Sequence, residues 1–293
     1  MEERFIETNG VTLHVVLDGP QDGPPIILLH GFPEFWYGWH KQMPALAAAG
    51  YRVVVPDQRG YNLSDKPPHI ADYNLNNLAA DVVGLASALG HERFFLAGHD
   101  WGAAVAWWTA TVHPQRVKKL AILNVPYPTA MARAVRKGNL RQLLKSWYIF
   151  YFQVPWLPEW LATLGNAAVA TRMVRSSGLP TTFSDEDIAR YQEAWARPNA
   201  MRSMIHWYRA MFRYPPNVTG EAGDIARAKR KLPMPVLILW GERDQFIEKA
   251  LIEPSLAHCA IGRAVTFPNA THWLQHDEAE AVNRHLIDFF AEP

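Results

Sequence analysis

Apolar residues in this chain form short continuous runs that alternate with segments of helical spacing. The runs predict buried strands at residues 26–29, 52–55, 94–97, 120–125 and 236–240. Continuous apolar runs are typical of strands in a parallel sheet that helices cover on both faces. The alternation of strand and helix therefore predicts an α/β fold with a mostly parallel central sheet flanked by helices.

Local signals sharpen this outline near the N-terminus. Residues 4–8 and 11–17 are strand-like, and Asn9-Gly10 between them predicts a hairpin turn. A helix is predicted at residues 75–89, with Asn74 as its N-cap and Gly90 as its stop. A second helix is predicted at residues 101–112.

The strand pattern stops between residues 127 and 231. This stretch is rich in tryptophan, arginine and proline and has helical spacing without strand runs, and the strand pattern resumes at Pro235. We therefore expect one α/β core of residues 1–126 and 233–293. A helical cap of residues 127–232 is expected to be inserted into it.

Composition is consistent with an enzyme that has a sizeable core. Of the 293 residues 49% are hydrophobic and 19% charged, and the net charge of +1 indicates no strong field for nucleic acid or an anionic membrane. No apolar stretch is long enough to span a bilayer, and the charged N-terminus lacks the apolar segment of a signal peptide. One cysteine, Cys259, excludes an intrachain disulfide. The expectation is a cytoplasmic monomer or homodimer.

A candidate nucleophile follows the apolar run at residues 94–97. The spacing Gly98-His99-Asp100-Trp101-Gly102 predicts a nucleophile elbow, a sharp turn from strand to helix that needs flanking glycines. The central residue is an aspartate where serine is commoner. A carboxylate can displace a leaving group from a saturated carbon and form an ester that water then cleaves. This predicts hydrolysis of epoxides or alkyl halides rather than of ordinary esters.

Cleavage of such an ester requires a base that activates water. Asp244 follows the strand at 236–240, and His272 lies in a loop after a short strand at 264–267. The chain order of nucleophile, acid and histidine fits a triad in which Asp244 orients His272. Two other positions could hold the acid. Glu242 is a rival, and Asn124 stands where some related enzymes place it but is neutral.

The other histidines near these positions have simpler interpretations. His99, beside the nucleophile, is expected to fix its loop, and His276, one helical turn after His272, is expected at the surface. Two backbone amides are expected to stabilise the oxyanion, those of Trp101 and Phe32. A cis bond is expected at Pro33, because a tight turn there must aim the Phe32 amide inward.

Together these residues resemble the soluble-type epoxide hydrolases of the α/β-hydrolase fold, over nearly the whole chain. The segment His30-Gly31-Phe32-Pro33 is similar to the HGxP oxyanion loop of that family, and residues 98–102 are similar to its elbow. The loop at residues 57–67 resembles one that usually has glycine where Asn62 stands. Asparagine is the next-best residue for positive φ, so this change is expected to be tolerated.

The resemblance also implies two cap tyrosines that hold the epoxide oxygen. The segment at residues 148–155 is similar to the one that carries the first, with Tyr148 the best match and Tyr151 its rival; Trp207-Tyr208-Arg209 is similar to the second. Phenol groups can donate hydrogen bonds and a proton to the alkoxide that ring opening leaves. A halide leaving group needs no proton, so this pair favours an epoxide.

The family resemblance implies that a small apolar epoxide and water are the partners of Asp100. Trp101, Phe32 and Pro33 are expected to line the substrate pocket, and no metal or organic cofactor is required. The main alternative is a haloalkane dehalogenase of the same fold, since the Trp101 indole could bind a halide. A haloacid substrate is disfavoured because no cation stands at residues 101–105. A non-catalytic binding module would not need the triad, and Asp100 argues against a serine esterase.

Overall fold

An eight-stranded sheet forms the centre of the protein. The computed structural model describes residues 1–136, 138–216 and 231–293. The strands are β1 (Glu2–Thr8), β2 (Val11–Asp18), β3 (Pro25–Leu29), β4 (Arg52–Pro56), β5 (Phe94–His99), β6 (Val117–Leu123), β7 (Leu232–Gly241) and β8 (Cys259–Phe267). Every strand expected from the sequence is present, with bounds shifted by a few residues.

The order of strands in the sheet is β1-β2-β4-β3-β5-β6-β7-β8. Strand β2 pairs antiparallel with β1 and with β4, and the remaining pairs are parallel. Strand β3 lies between β4 and β5, so the direction of chain progression across the sheet reverses there. Ligand sites of open α/β sheets lie beyond the strand carboxyl ends at such a switch point. The predicted mostly parallel α/β fold is confirmed.

Helices cover both faces of this sheet and build the cap. They are α1 (Met43–Ala48), α2 (Leu75–Ala88), α3 (Trp101–Val112), α4 (Pro128–Arg136), α5 (Leu140–Lys145), α6 (Trp147–Tyr151), α7 (Leu157–Ser177), α8 (Asp185–Trp195), α9 (Ala200–Arg213), α10 (Ile252–Leu256), α11 (Leu274–Asp277) and α12 (Ala279–Ala291). Two buried apolar clusters result. The larger unites one sheet face with the cap, and the smaller packs the other face against α1 and α12.

The residues expected in turns and at helix ends have the backbone conformations and hydrogen bonds that their chemistry predicts. Asn74 caps α2 by accepting hydrogen bonds from two backbone amides, and Gly90 beyond it has φ of 81°. Asn9 and Gly10 both have positive φ in the β1–β2 turn, and Asn62 tolerates a φ of 38°. Strand β6 ends at Leu123, two residues earlier than expected, because Asn124 adopts a φ of 57° that strand pairing does not permit.

Within the described residues, the segment between β6 and β7 consists of α4 to α9 and contains no strand. Residues 217–230 of the expected cap lie outside the described ranges. The indole of Trp195 in α8 donates to the carbonyl of Pro33 at 2.6 Å, and that of Trp207 in α9 donates to the carbonyl of Arg59 at 3.0 Å. These bonds fix the cap helices over the core. No described helix is long and apolar enough to cross a membrane.

Candidate active site

Asp100 occupies a strained turn between β5 and α3. Its φ of 50° and ψ of −123° are unusual for a residue with a side chain, and they raise the carboxylate above the sheet. A Cβ on Gly98 would lie 2.4 Å from the carbonyl oxygen of Gly102, and one on Gly102 would lie 2.1 Å from that of Leu29. Both flanking glycines are therefore required by close backbone contacts, as the elbow spacing indicates.

The expected triad residues meet at the carboxyl ends of their strands. Nε2 of His272 lies 3.4 Å from Oδ2 of Asp100, and its Nδ1 lies 2.7 Å from Oδ2 of Asp244. All three side chains are largely or fully buried. His272 therefore stands between the two carboxylates, with one nitrogen toward the nucleophile and the other bonded to the acid.

Asp244 is held by donors on both of its oxygens. Oδ1 accepts from the amides of Phe246 at 2.7 Å and Ile247 at 2.9 Å, and Oδ2 also accepts from Nδ2 of Asn124 at 2.8 Å. The rival acid, Glu242, instead contacts Lys249 at 2.7 Å. Asp244, and not Glu242, is the carboxylate that reaches His272.

Charge interactions among Asp100, Asp244 and His272 determine the protonation state of these three side chains. Burial alone would raise the pKa of Asp100 and Asp244, but hydrogen bonds and charge interactions with His272 lower it below its ordinary value in both. Burial would lower the pKa of His272, but the charge of Asp244 and the bonds to both carboxylates raise it to about 10. Near neutral pH the site therefore holds two carboxylates and an imidazolium between them.

The loop after β3 brings a backbone amide to the nucleophile. The amide of Phe32 donates to Oδ1 of Asp100 at 2.7 Å, and the Phe32–Pro33 bond is cis, as expected. A Cβ on Gly31 would lie 2.4 Å from Cβ of Asp100, so glycine is needed for this approach. Trp101 is the first residue of α3, where backbone amides have no acceptor within the helix. The Phe32 amide is thus in contact with Asp100, and the role of the Trp101 amide as the second oxyanion donor stays a prediction.

The two expected cap tyrosines, Tyr148 and Tyr208, pack against each other over the nucleophile. Their ring centroids are 5.9 Å apart, and Tyr208 lies 5.0 Å from Trp101 and 5.3 Å from Phe32. Burial raises the pKa of both phenols, and the negative charge of Asp100 acts in the same direction on each. The rival, Tyr151, has different neighbours. Burial raises its pKa, and the charge that adds to this effect is that of Glu159 and not that of Asp100. Of the two α6 tyrosines, Tyr148 is the one that faces the site.

Aromatic rings enclose this space. Phe152 lies 4.8 Å from Tyr208 and 5.5 Å from Phe32, and Phe246 lies 5.1 Å from His272. Phe32 and Trp101 belong to this wall, whereas the known contact of Pro33 is its carbonyl bond to Trp195. The participation of Pro33 in the substrate pocket stays a prediction.

A buried polar cluster behind the site was not foreseen from the sequence. Its centre is Glu34, whose oxygens contact Nδ1 of His99 at 3.1 Å, Nε2 of His276 at 2.8 Å and the hydroxyl of Tyr191 at 2.9 Å. Burial would raise the pKa of Glu34, but the bonds to His276 and His99 hold it well below its usual range. Glu34 is charged and directly follows the oxyanion loop, which was the one sequence signal for this cluster.

The surface position expected for His276 is therefore wrong. Its exposed fraction is 6%, because helix α11 turns inward and brings the ring to Glu34. The expectation for His99 agrees with the contacts: Nε2 lies 2.8 Å from the carbonyl oxygen of His272 while Nδ1 meets Glu34. His99 thus links the elbow, the histidine loop and the Glu34 cluster.

Comparison with known proteins places this site in a family. Residues 24–279 match the model of the alpha/beta hydrolase fold family. The AB hydrolase superfamily protein YfhM of Bacillus subtilis is 40% identical, over 98% of this chain and 96% of that protein. Epoxide hydrolase 2 of Caenorhabditis elegans is 34% identical, over 99% of this chain and 80% of that protein.

Solved structures agree with the sequence relatives. Epoxide hydrolase A from Mycobacterium thermoresistibile superposes with a TM-score of 0.85 at 31% identity, covering 98% of this chain and 97% of that one. An epoxide hydrolase from Bacillus megaterium superposes with a TM-score of 0.87 at 27% identity, covering 99% and 100%. The fold, the strand-end site and these similarities show that this chain belongs to the epoxide hydrolase family of the α/β-hydrolase fold.

Proposed function

We propose that this protein converts an apolar epoxide and water to a vicinal diol through a covalent ester on Asp100. The observation that carries the proposal is the pair of phenols, Tyr148 and Tyr208, packed over a carboxylate nucleophile. Ring opening produces an alkoxide, which needs hydrogen-bond donors and a proton in a buried site. The family relationship supports the same substrate class.

The first step is ring opening. The epoxide oxygen accepts hydrogen bonds from Tyr148 and Tyr208, whose raised pKa keeps them protonated at neutral pH. Asp100, ionised because His272 lowers its pKa, attacks a ring carbon with a carboxylate oxygen. The carbon–oxygen bond of the ring breaks as the ester forms, and the alkoxide takes a proton from a tyrosine. The product of this step is a hydroxyalkyl ester.

The second step is hydrolysis of that ester. Esterification removes the charge of Asp100, one of the two carboxylates that raise the pKa of His272. Loss of this charge lowers the affinity of the imidazolium for its proton, which passes to the tyrosinate left by ring opening and leaves His272 neutral and able to act as a base. His272, oriented by Asp244, then takes a proton from water, which attacks the ester carbonyl. The amides of Phe32 and Trp101 stabilise the oxyanion. When it collapses, the ester bond between the Asp100 carbonyl carbon and the alkyl oxygen breaks, the carboxyl proton passes to that oxygen, and the diol leaves Asp100 as a carboxylate again.

The surroundings of Trp101 favour an epoxide over a halide substrate. Its ring lies 5.0 Å from that of Tyr208, and the indole lowers the phenol's pKa against the effect of burial. The two phenols can donate to the oxygen of an opening epoxide, whereas a halide leaving group needs no proton.

A panel of epoxides and haloalkanes, assayed side by side, tests the proposal. Styrene oxide and aliphatic epoxides should yield diols, measured by chromatography, and chlorinated and brominated alkanes should release no halide above the Asp100→Asn background. Halide release without diol formation would refute the assignment. The cytoplasmic location and the monomeric or homodimeric state stay predictions.

A further inference from the structure

Charge is distributed very unevenly between cap and core. Residues 127–232 contain sixteen Lys and Arg against seven Asp and Glu, a net charge of +9, and the rest of the chain carries −8. The overall charge of +1 conceals this separation. A segment with such an excess of cations attracts anionic surfaces, and it repels a second copy of itself.

Large aromatic side chains on the same segment are exposed. We define the aromatic cap surface as Trp147, Phe150, Trp156, Trp160, Phe212 and Tyr214, whose exposed fractions lie between 47% and 83%. Among described residues, the one other exposed aromatic side chain is Phe5 in the core. Isolated exposed apolar residues are ordinary, but a group of six aromatics marks an interaction surface.

Contacts between elements bring helices α6 and α9 of this surface together. Phe150 of α6 lies 5.9 Å from Phe212 of α9, and Arg213 beside Phe212 donates to the carbonyl of Gln153 at 3.4 Å. The two sides of helix α6 therefore lie in different environments. Tyr148 points to the candidate active site, whereas Trp147 and Phe150 of the same helix face solvent.

Trp156 and Tyr214 also line a basic groove beside this surface, together with Arg202, His206 and Arg209. His206 is 6% exposed, and its Nδ1 has no hydrogen-bond partner among the described residues. Of the described residues that line the groove, Glu159 is the one with a carboxylate, and it is paired with Arg209 at 3.0 Å. Arg202 is exposed at the groove. The exposed guanidinium of Arg202 is a suitable donor for a phosphate group.

We propose that the aromatic cap surface docks on an anionic phospholipid bilayer, with the basic groove receiving a lipid phosphate. Tryptophan and tyrosine favour the level of the lipid headgroups, and arginine adds attraction to anionic lipids. The cap's net charge of +9 disfavours cap-to-cap pairing of two copies and complements an anionic bilayer. Docking would place the cap next to the bilayer in which an apolar substrate dissolves. The proposal does not depend on the catalytic assignment.

The test is co-sedimentation of the full-length protein with sucrose-loaded vesicles, without substrate. Vesicles of phosphatidylcholine alone are compared with vesicles that contain about one third phosphatidylglycerol. Binding to the anionic vesicles should be at least on the order of tenfold tighter, and 0.5 M NaCl should weaken it because salt screens exposed charges. Equal binding to both vesicle types, or no binding to either, would overturn the proposal.

Matched variants locate the contact. Trp156→Ser with Trp160→Ser should weaken binding to anionic vesicles on the order of tenfold, whereas Phe5→Ser, an equally exposed aromatic on the core, should not. Arg202→Glu should weaken binding, and Arg284→Glu on α12 of the core should not. If a cap variant and its core control change binding to anionic vesicles equally, the aromatic cap surface is not the contact.

The mass of the protein in solution shows whether the aromatic cap surface binds a bilayer or a second copy of this chain. Sedimentation equilibrium of the wild type and the Trp156→Ser, Trp160→Ser variant should give the same oligomeric state. A wild-type oligomer that the two substitutions dissociate, together with no preference for anionic vesicles, would assign the surface to another copy of this chain and refute the bilayer. Because the vesicle comparison uses the wild type, the proposal stays testable even if a variant misfolds.

Discussion

The side-chain amide of Asn124 and Nδ1 of His272 bind the same oxygen of Asp244, at 2.8 and 2.7 Å. Asn124 also accepts from the amide of Gly241 at 3.1 Å, so it ties the acid to the end of β7. A second carboxylate at this position would repel Asp244. The neutral amide instead fixes which oxygen of Asp244 faces His272, and Asn124 is therefore a positioning residue of the site.

Asn124→Ala should lower both stability and turnover. It leaves the Gly241 amide without its acceptor, at a cost of about 1–3 kcal/mol in the free energy of unfolding, measured by urea denaturation. Single-turnover kinetics should show slower ester hydrolysis with unchanged ring opening. Asn124→Gly is the control, since glycine accepts the φ of 57° without strain while also losing the amide. If the substitution slows ring opening and ester hydrolysis equally, Asn124 does not act through His272.

Removal of the nucleophile and removal of the base should have different outcomes. Asp100→Ala should reduce diol formation on the order of 10⁴-fold or more. His272→Gln should still form the ester but not cleave it, which mass spectrometry of the intact protein would detect as an added mass equal to that of the epoxide. The double variant His272→Gln, Asp100→Asn serves as control and should carry no adduct. A confirmed substrate that leaves no adduct on His272→Gln would refute the two-step scheme.

Loss of either phenol should slow the ring-opening step. Tyr148→Phe and Tyr208→Phe should each reduce the single-turnover rate of ester formation by about tenfold or more, because the remaining tyrosine still donates. The decay of the ester should stay near the wild-type rate. Tyr151→Phe provides the matched control on α6. A larger defect in Tyr151→Phe than in Tyr148→Phe would mean that the wrong face of α6 has been assigned to the site.

The raised pKa of His272 predicts a pH dependence of stability. Its pKa in the folded protein is about 10, above the ordinary value of 6.5. A raised pKa means that the folded state binds the proton more tightly, so this stabilisation is complete below pH 6.5 and is lost as the pH rises toward 10. The stability advantage of wild type over His272→Gln should therefore shrink across that range. Urea denaturation at several pH values measures it, and an advantage that grows with pH would contradict the assignment.

The Glu34 cluster should contribute mainly to stability. Glu34→Ala leaves His99, His276 and Tyr191 without their shared acceptor and should cost about 3 kcal/mol or more in the free energy of unfolding. Glu34→Gln retains one acceptor oxygen and a similar volume, so its loss should be clearly smaller. Comparison of the two variants by thermal and urea denaturation measures the carboxylate's contribution. Identical stability of the two would mean that the charge is unimportant here.

Most of the fold could be predicted because its signals are local. The runs at β3, β4 and β5 are apolar throughout, as buried parallel strands require, and Asn9 and Asn74 mark a turn and a helix start through their own chemistry. The early end of β6 was not predictable. Asn124 is an acceptable continuation of an apolar strand in sequence, and its positive φ arises from bonds to residues 117 and 120 positions away.

The candidate site was predictable where chain order and motif spacing define it, as for Asp100, Asp244 and His272. The position of His276 was not, because its burial depends on Glu34, which is 242 residues away in sequence. The net charge of the whole chain does not show how charge is distributed. Its value of +1 conceals a basic cap and an acidic core, which cancel in the sum.

Helix α8 is joined to the β3 loop region by three hydrogen bonds: Trp195 to Pro33, Tyr191 to Glu34, and Tyr37 to Asp187 at 2.9 Å. That region also supplies the Phe32 amide. Exchange of the cap between two relatives would therefore alter the oxyanion donor unless residues 30–37 were transferred with it. Chimeras intended to change substrate preference should take α8 and residues 30–37 from the same parent protein.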